Sequence, residues 1–432
     1  MVRGFARFIA AALLPYATLV CSPTGAHAQS PIWSAAGTVT SKLSAARLER
    51  LRALLQDYVD QNRLAGAVIR VELDGKPAFT AAVGWRDKEA RSPMREDDIF
   101  RIASQTKALT SVAVMMLMEE GKLLLNDPVA KYLPEWEKTK VAVAGPSGGY
   151  EVVPAKRPIT IRDLLTHTAG ISYGSGAAEK AWRDAGYSSW YFANRSEPVA
   201  SAIARIAKLP MAEQPGEKFV YGYGTDILGV VVEKVSGRSL QAFLDERLIK
   251  PLGMRDTSFY LPRDKTDRLA VVYEAGAKGL VRAGNASSLK ADHFGQGHYL
   301  DGPRTAYSGG AGLLSTAADY SRFLEMMRRG GELDGRRYLS RKSVELMTAD
   351  HLAGVEFSPG MGFGLGFSVR TDLGAAGEPG SEGEFGWGGA YHSLYWVDPT
   401  ERLTVVYLSQ LLPAGDIDDH GKIRALVYQA LE

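Results

Sequence analysis

An α/β architecture is what the 432-residue sequence predicts: one antiparallel sheet built from both chain ends, flanked by helices, with a mostly helical subdomain inserted in between. Three observations lead there. A helical pattern and two strand-like runs lie near the start, three strand-like runs and a helix close the chain, and the stretch between them reads mostly helical. Strands at the two ends bury their apolar faces most simply by joining one sheet, which leaves the middle, roughly residues 104–300, as an insertion beside it.

Met1 to Ala28 read as a secretory signal peptide. A basic start, MVRGFAR, precedes an apolar stretch from Phe8 to Val20, and Ala26-His27-Ala28 supplies a small-x-small cleavage pattern. The apolar stretch falls short of the roughly 20 residues that span a bilayer. Cleavage after Ala28 predicts a periplasmic or secreted protein with no membrane span, and it removes Cys21, the sole cysteine. Disulfides, thiol catalysis and thiolate metal sites are then excluded together.

The elements follow in order. Residues 41–62 place Leu48, Leu51, Leu55 and Tyr58 on one helical face. AVIRVEL and AFTAAV read as strands joined by Asp74-Gly75-Lys76-Pro77, a hairpin signal. KALTSVAVMMLMEEGK reads as a buried helix stopped at Gly121. Residues 137–157, rich in Gly, Pro, Lys and Val, read as an exposed loop, and 159–237 as mostly helical. MGFGLGFSVR, EFGWGGAYHSLYWV and LTVVYLSQ each read as one strand, with Asp398-Pro399-Thr400-Glu401 turning the last pair, and KIRALVYQAL closes the chain as a helix.

Composition narrows the function classes. Hydrophobic residues make up 45% and charged residues 23%, an ordinary soluble balance. Lys and Arg number 51 against 49 Asp and Glu, and Arg3 and Arg7 of the leader carry the whole excess. A neutral body offers no footprint for phosphate backbones, so nucleic acid is excluded as a partner.

Ser104-Gln105-Thr106-Lys107 is an S-x-x-K motif opening the apolar helix. Three residues make one turn, so the hydroxyl and the amine share a face. A serine needs a neighbouring base to act as a nucleophile at neutral pH, and a lysine with a neutral amine can serve. The helix N-terminus adds free N–H groups for a developing oxyanion. A second match, Ser287-Ser288-Leu289-Lys290, lies in a polar stretch with no buried helix behind it. Two G-x-S-x-G matches, centred on Ser147 and Ser172, lack the strand-then-helix context that a nucleophile elbow requires. The histidines after the leader (His167, His293, His298, His351, His392, His420) form no H-x-x-x-H or H-E-x-x-H pair, so no metal site is predicted.

With Ser104 and Lys107 placed, the chain from about residue 45 onward resembles the serine β-lactamase-related family: class C β-lactamases, DD-peptidases and, most of all, family VIII carboxylesterases. The resemblance rests on IASQTKALTSVAVMMLMEEGKLLLNDPVAKYLP, TIRDLLTHTAGISYG, FVYGYGTDILGVVVEKVSG, SGGAGLLSTAADYSRFLEMM and FGWGGAYHSLYWVDP, in the family's order and roughly its spacing. It implies a β-lactamase/DD-peptidase-like fold and a carboxylesterase that needs no cofactor. The family's Tyr-x-Asn falls on Tyr221-Gly222-Tyr223, making Tyr221 the phenol that exchanges protons with Ser104 and the leaving group. Whether Lys107 or Tyr221 takes the serine proton first stays open.

Two departures bear on substrate. Tyr223 replaces the Asn that contacts the amide side chain of lactams, and Trp387-Gly388-Gly389 replaces Lys-Thr-Gly or His-Thr-Gly. The lost cation normally engages a substrate carboxylate, whereas an indole offers one N–H and an apolar plane. The resemblance therefore implies uncharged small-molecule esters, with weak lactam hydrolysis retained in some relatives. It also implies that Gly388 and Gly389 admit the substrate, that the N–H groups of Ser104 and Ala390 form the oxyanion pair, and that Tyr173 and Tyr391 line the pocket. Two other readings stay open: a β-lactamase or DD-peptidase-type enzyme, and a non-catalytic binding protein on the same fold.

Overall fold

A computed structural model describes residues 42–145, 148–284 and 298–432. Eight strands form the main sheet: β1 (Gly66–Leu73), β2 (Lys76–Asp87), β3 (Ser92–Pro93), β4 (Met361–Phe363), β5 (Ser368–Arg370), β6 (Phe385–Gly389), β7 (Ser393–Asp398) and β8 (Leu403–Ser409). Their order is β4-β5-β6-β7-β8-β1-β2-β3, antiparallel at every step. The two ends of the chain meet at its centre, where Ala67 to Leu73 of β1 pair with Ser409 to Leu403 of β8. The predicted sheet from both termini is thus the one observed.

These two strands are covered on both faces, which is why they read as nearly unbroken apolar runs. Ala67, Ile69 and Val71, with Leu403, Val405 and Tyr407, face helices α1 (Ala45–Asp60) and α5 (Asp419–Tyr428). Val68, Val406 and Leu408 point the other way into the larger core, shared with α2 (Thr106–Glu119), α3 (Gly224–Ser236) and α4 (Ala317–Arg328). Asp74 (φ 54°) and Gly75 (φ 71°) close the β1–β2 hairpin with two left-handed residues, the geometry that matches strand twist. The Asp398 carboxylate accepts from the amides of Thr400 (3.0 Å) and Glu401 (3.1 Å) and so shapes the β7–β8 turn.

Several expectations are corrected. Residues 137–157 are not a loop throughout: Lys140–Ala144 pairs with Tyr150–Pro154. Their valines suit a half-buried strand, and Met211 docks on the hairpin through Ala142 N to Met211 O (2.9 Å) and Met211 N to Lys140 O (2.7 Å). The insertion between β3 and β4 is mostly helical and also carries short strand pairs. Its helices Ile161–Leu165, Glu179–Asp184 and Val199–Ile206 are short, and a second hairpin joins Tyr273–Gly276 to Gly279–Arg282. MGFGLGFSVR is two strands broken at Gly366 (φ 98°), and EFGWGGAYHSLYWV is two strands broken at Ala390-Tyr391-His392. Among the described residues no helix is long and apolar enough to cross a membrane. The leader with Cys21, Ser147, Ser287 to Lys290 and His293 lie outside the described residues.

Candidate active site

The site is built from four segments that converge beside β6, the third strand in the sheet order. The first is the approach to α2. A two-residue strand pairs Phe100 with Ser315 and Arg101 with Leu314, then a 3₁₀ turn over Ala103–Gln105 leads into the helix. Ala103, fully buried, holds a left-handed backbone (φ 41°), a conformation that costs about 1–2 kcal/mol away from glycine. Such a bend re-aims the chain, and Ser104, directly after it, is partly exposed between buried neighbours. The turn is pinned from outside, with Tyr320 OH donating to Gln105 O (2.9 Å) and Leu313 N to Thr106 Oγ1 (3.0 Å).

One turn further, Lys107 is buried on α2. Its Nζ donates to Gly310 O (2.8 Å), Tyr173 OH (2.9 Å) and Ser104 Oγ (3.4 Å), so each ammonium hydrogen has a taker. Gly310 is itself held, since its N–H donates to Asp226 Oδ1 (3.0 Å), which also accepts from Ser308 Oγ (2.6 Å). Asp226, from the first turn of α3, is fully buried, and burial raises its pKa even though the Lys107 charge opposes this. Tyr173 has its phenol pushed well up, by burial first and then by Tyr221 and Asp226, so it remains a neutral partner for Lys107.

The third segment carries Tyr221. The Lys107 ammonium lies 4.6 Å from its ring centroid, within cation–π range, and the Tyr221 oxygen accepts from Trp387 Nε1 (3.0 Å). His167 also packs against this ring, centroids 4.5 Å apart. Burial, then the Lys107 charge, holds its imidazole well below the usual pKa, so no second cation competes for Tyr221. The fourth segment is β6, bearing Trp387, Gly388 and Gly389. A Cβ on Gly389 would stand 2.5 Å from Ser393 Oγ and 2.6 Å from Ile102 O, so the strand end runs against the backbone that leads to Ser104. Ala390, partly exposed, follows immediately.

Ser104, Lys107, Tyr221, Trp387 and Tyr173 are thus brought together, with Gly388, Gly389 and Ala390 alongside. Two expectations fail. Tyr223 is fully buried, stacked on Trp182 (centroids 6.0 Å apart, planes at 5°), with its hydroxyl given to Ser189 O (2.5 Å). It supports Tyr173 from behind (4.8 Å) and presents nothing to a ligand. Tyr391 is also fully buried, edge-on to Trp190 (5.8 Å), in a small cluster with Ala103, Val272 and Ala283. Tyr173 bonds Lys107 rather than acting only as a wall. Ser172 is a turn residue, donating to Ser175 O (2.7 Å) and accepting from Gly174 N (3.1 Å). Asp226 and Gly310 were missed, although both lie in blocks that carried the family resemblance.

A broad antiparallel sheet with helices on both faces is the frame of the β-lactamase and penicillin-binding-protein fold, and here it gathers a serine, a lysine and a tyrosine beside β6. The chain belongs to the β-lactamase family, whose profile matches residues 51–429. Protein Rv1367c of Mycobacterium tuberculosis is 37% identical over 388 residues, 86% of this chain and 92% of that protein. Esterase EstB of Burkholderia gladioli is 32% identical over 396 residues, 88% of this chain and 94% of that one. Among solved structures, EstCE1, described as a hydrolase with promiscuous acyltransferase activity, superposes with a TM-score of 0.75 at 28% identity, covering 89% of this chain and 98% of its own. These relatives support a serine hydrolase acting on esters of small molecules.

Proposed function

We propose that the protein is a serine carboxylesterase of the family VIII type, exported by its N-terminal leader. The observation that carries the reading is the contact set of Lys107: one amine reaches Ser104 Oγ at 3.4 Å and lies 4.6 Å above the ring of Tyr221. Ser104 attacks the ester carbonyl and gives its proton to the Lys107–Tyr221 pair, which accepts it in the state that carries one proton fewer, as a neutral amine beside a phenol or an ammonium beside a phenolate. The amides of Ser104 and Ala390 hold the tetrahedral oxyanion, and Tyr221 returns the proton to the departing alkoxide. Water then attacks the acyl-enzyme by the same relay in reverse, releasing the acid and restoring Ser104.

Trp387 favours esters over lactams in this reading. It stands where a lactamase cation would meet a carboxylate, and its one donor is already given to Tyr221. Transfer of the acyl group to another alcohol is a second outcome of the same intermediate, and the description of EstCE1 favours testing it.

The test is to assay residues 29–432 and their Ser104→Ala variant on a short-chain p-nitrophenyl ester beside a chromogenic cephalosporin. Ester turnover should fall at least a thousandfold in the variant, with cephalosporin turnover slow in the parent protein. Dominant cephalosporin turnover would overturn the substrate assignment. Ester turnover surviving in Ser104→Ala would overturn the nucleophile.

A further inference from the structure

Behind the β6–β7 turn lies a polar cluster that the ester mechanism does not use: His392, Asp419, His420 and Tyr407. The turn has three residues, Ala390-Tyr391-His392, between the paired Gly389 and Ser393. Its last residue, His392, adopts a left-handed backbone (φ 62°), the position that such turns normally give to glycine. A histidine there costs about 1–2 kcal/mol in backbone strain unless its side chain is put to use.

The side chain is anchored. His392 Nε2 donates to Asp419 Oδ1 (2.7 Å), and Tyr407 OH donates to Asp419 Oδ2 (2.7 Å). Asp419 is fully buried in the first turn of α5. Burial, the largest single influence, would raise its pKa, but the bond and charge of His392, the charge of His420 and the Tyr407 hydroxyl together outweigh it, so the carboxyl is held below its usual value, hence ionised. The turn is gripped a second time through its backbone, with Ser409 Oγ set 2.7 Å from His392 O and 3.1 Å from Tyr391 O.

The cluster is not shaped as a metal centre. Donor atoms of His392, Asp419 and His420 lie within 4.8 Å of one another, but the two rings stack at 4.0 Å with planes at 17°. Nearly parallel rings cannot both aim an in-plane lone pair at one ion about 2 Å from each nitrogen.

What the anchoring fixes is the backbone of the turn, and Ala390 is its first residue. We propose that His392, tethered by Asp419, is a positioning residue for the oxyanion-binding turn, holding the Ala390 amide at the distance from Ser104 that the tetrahedral intermediate requires. The inference rests on the ester reading above and deepens it. An oxyanion donor acts only when preorganised, and a displacement of about 1 Å is enough to lose on the order of a hundredfold in rate.

His392→Gly separates the two demands on this residue, because glycine relieves the left-handed strain but removes the tether. The expected result with a p-nitrophenyl ester is a kcat at least tenfold lower with KM within threefold of the parent. Affinity for a boronic acid, which mimics the tetrahedral state, should fall in step with kcat. Asp419→Ala should do the same, and Asp419→Asn, which still accepts the imidazole N–H, should recover most of the loss. If His392→Gly does not fold, His392→Asn, which also tolerates the left-handed backbone, takes its place. Unchanged kcat and boronate affinity in a folded variant would overturn the inference and leave the esterase standing, even if the melting temperature drops. A parent protein that neither hydrolyses the ester nor is labelled at Ser104 by a fluorophosphonate would fail the ester reading itself, and this inference with it.

Discussion

Trp387 shows how one side chain changes what the site can do. In the proposed reading its indole stands in for a substrate-binding cation, and its N–H is spent inside the protein on the Tyr221 oxygen at 3.0 Å. That bond ties the phenol oxygen to β6, while the Lys107 ammonium lies 4.6 Å from the ring centroid. Trp387→Phe keeps an aromatic plane and removes only the donor. A neutral hydrogen bond is worth about 1 kcal/mol net, so kcat on a short-chain ester should fall about fivefold, with KM nearly unchanged. Steady-state kinetics of the variant checks this, and an unaltered kcat would mean that Tyr221 is oriented by its ring contacts alone. Ser104 and Lys107 were legible in the sequence because their relation is local, one turn of one helix. Tyr223 was misread because a motif position fixes a residue's place in the chain and not its rotamer. Here Trp182 and the Ser189 carbonyl draw the ring into the core.

Elements meet at the site through backbone approach as much as through side chains. Gly222, between Tyr221 and Tyr223, lies so close to the Ile171–Tyr173 segment that an added Cβ would stand 2.2 Å from Ile171 O and 2.5 Å from Ser172 C. Its backbone is ordinary, so closeness and not conformation requires the glycine. Any side chain must push the Tyr221 segment away from the Tyr173 segment, and both tyrosines touch Lys107. Gly222→Ala should therefore lower the unfolding free energy by about 1–3 kcal/mol, as overpacking does, and reduce kcat more than tenfold. Urea unfolding together with ester kinetics tests both, and loss of stability with full activity would show that the segments yield elsewhere. The central strands were readable for the opposite reason: β1 and β8 are apolar on both faces and need no partner to be recognised. The hairpin at Lys140–Ala144 and Tyr150–Pro154 was not, because the Gly-Pro-rich run between its short strands reads as loop and its docking onto Met211 is a tertiary event.

At the scale of the molecule, the sheet joins the two chain ends while the site draws on residues between them, and this limits what one sequence can disclose. Lys107 finds Tyr173 and Gly310 only after folding, and Asp226 reaches Gly310 from a different helix. The same global burial sets a pH dependence that no local motif announces. His420 stacks on His392, its Nε2 has no hydrogen-bond partner among the described residues, and its pKa is pushed down to about 4, by burial first and then by His392. Between about 6.5 and about 4 the unfolded chain binds a proton at this position that the folded protein refuses. Stability from this group is therefore complete above pH 6.5 and is lost as the pH falls towards 4, amounting to about 2 kcal/mol between pH 7 and pH 5. Buried carboxyls with raised pKa values, such as Glu384 and Asp98, work in the opposite sense, so the parent curve alone sums opposing slopes. The difference between the parent and His420→Gln isolates the histidine. Urea unfolding of both proteins at pH 7 and pH 5 should show the parent losing about 2 kcal/mol more than the variant. Parallel losses would mean that His420 takes up its proton as readily in the folded protein as in the unfolded chain.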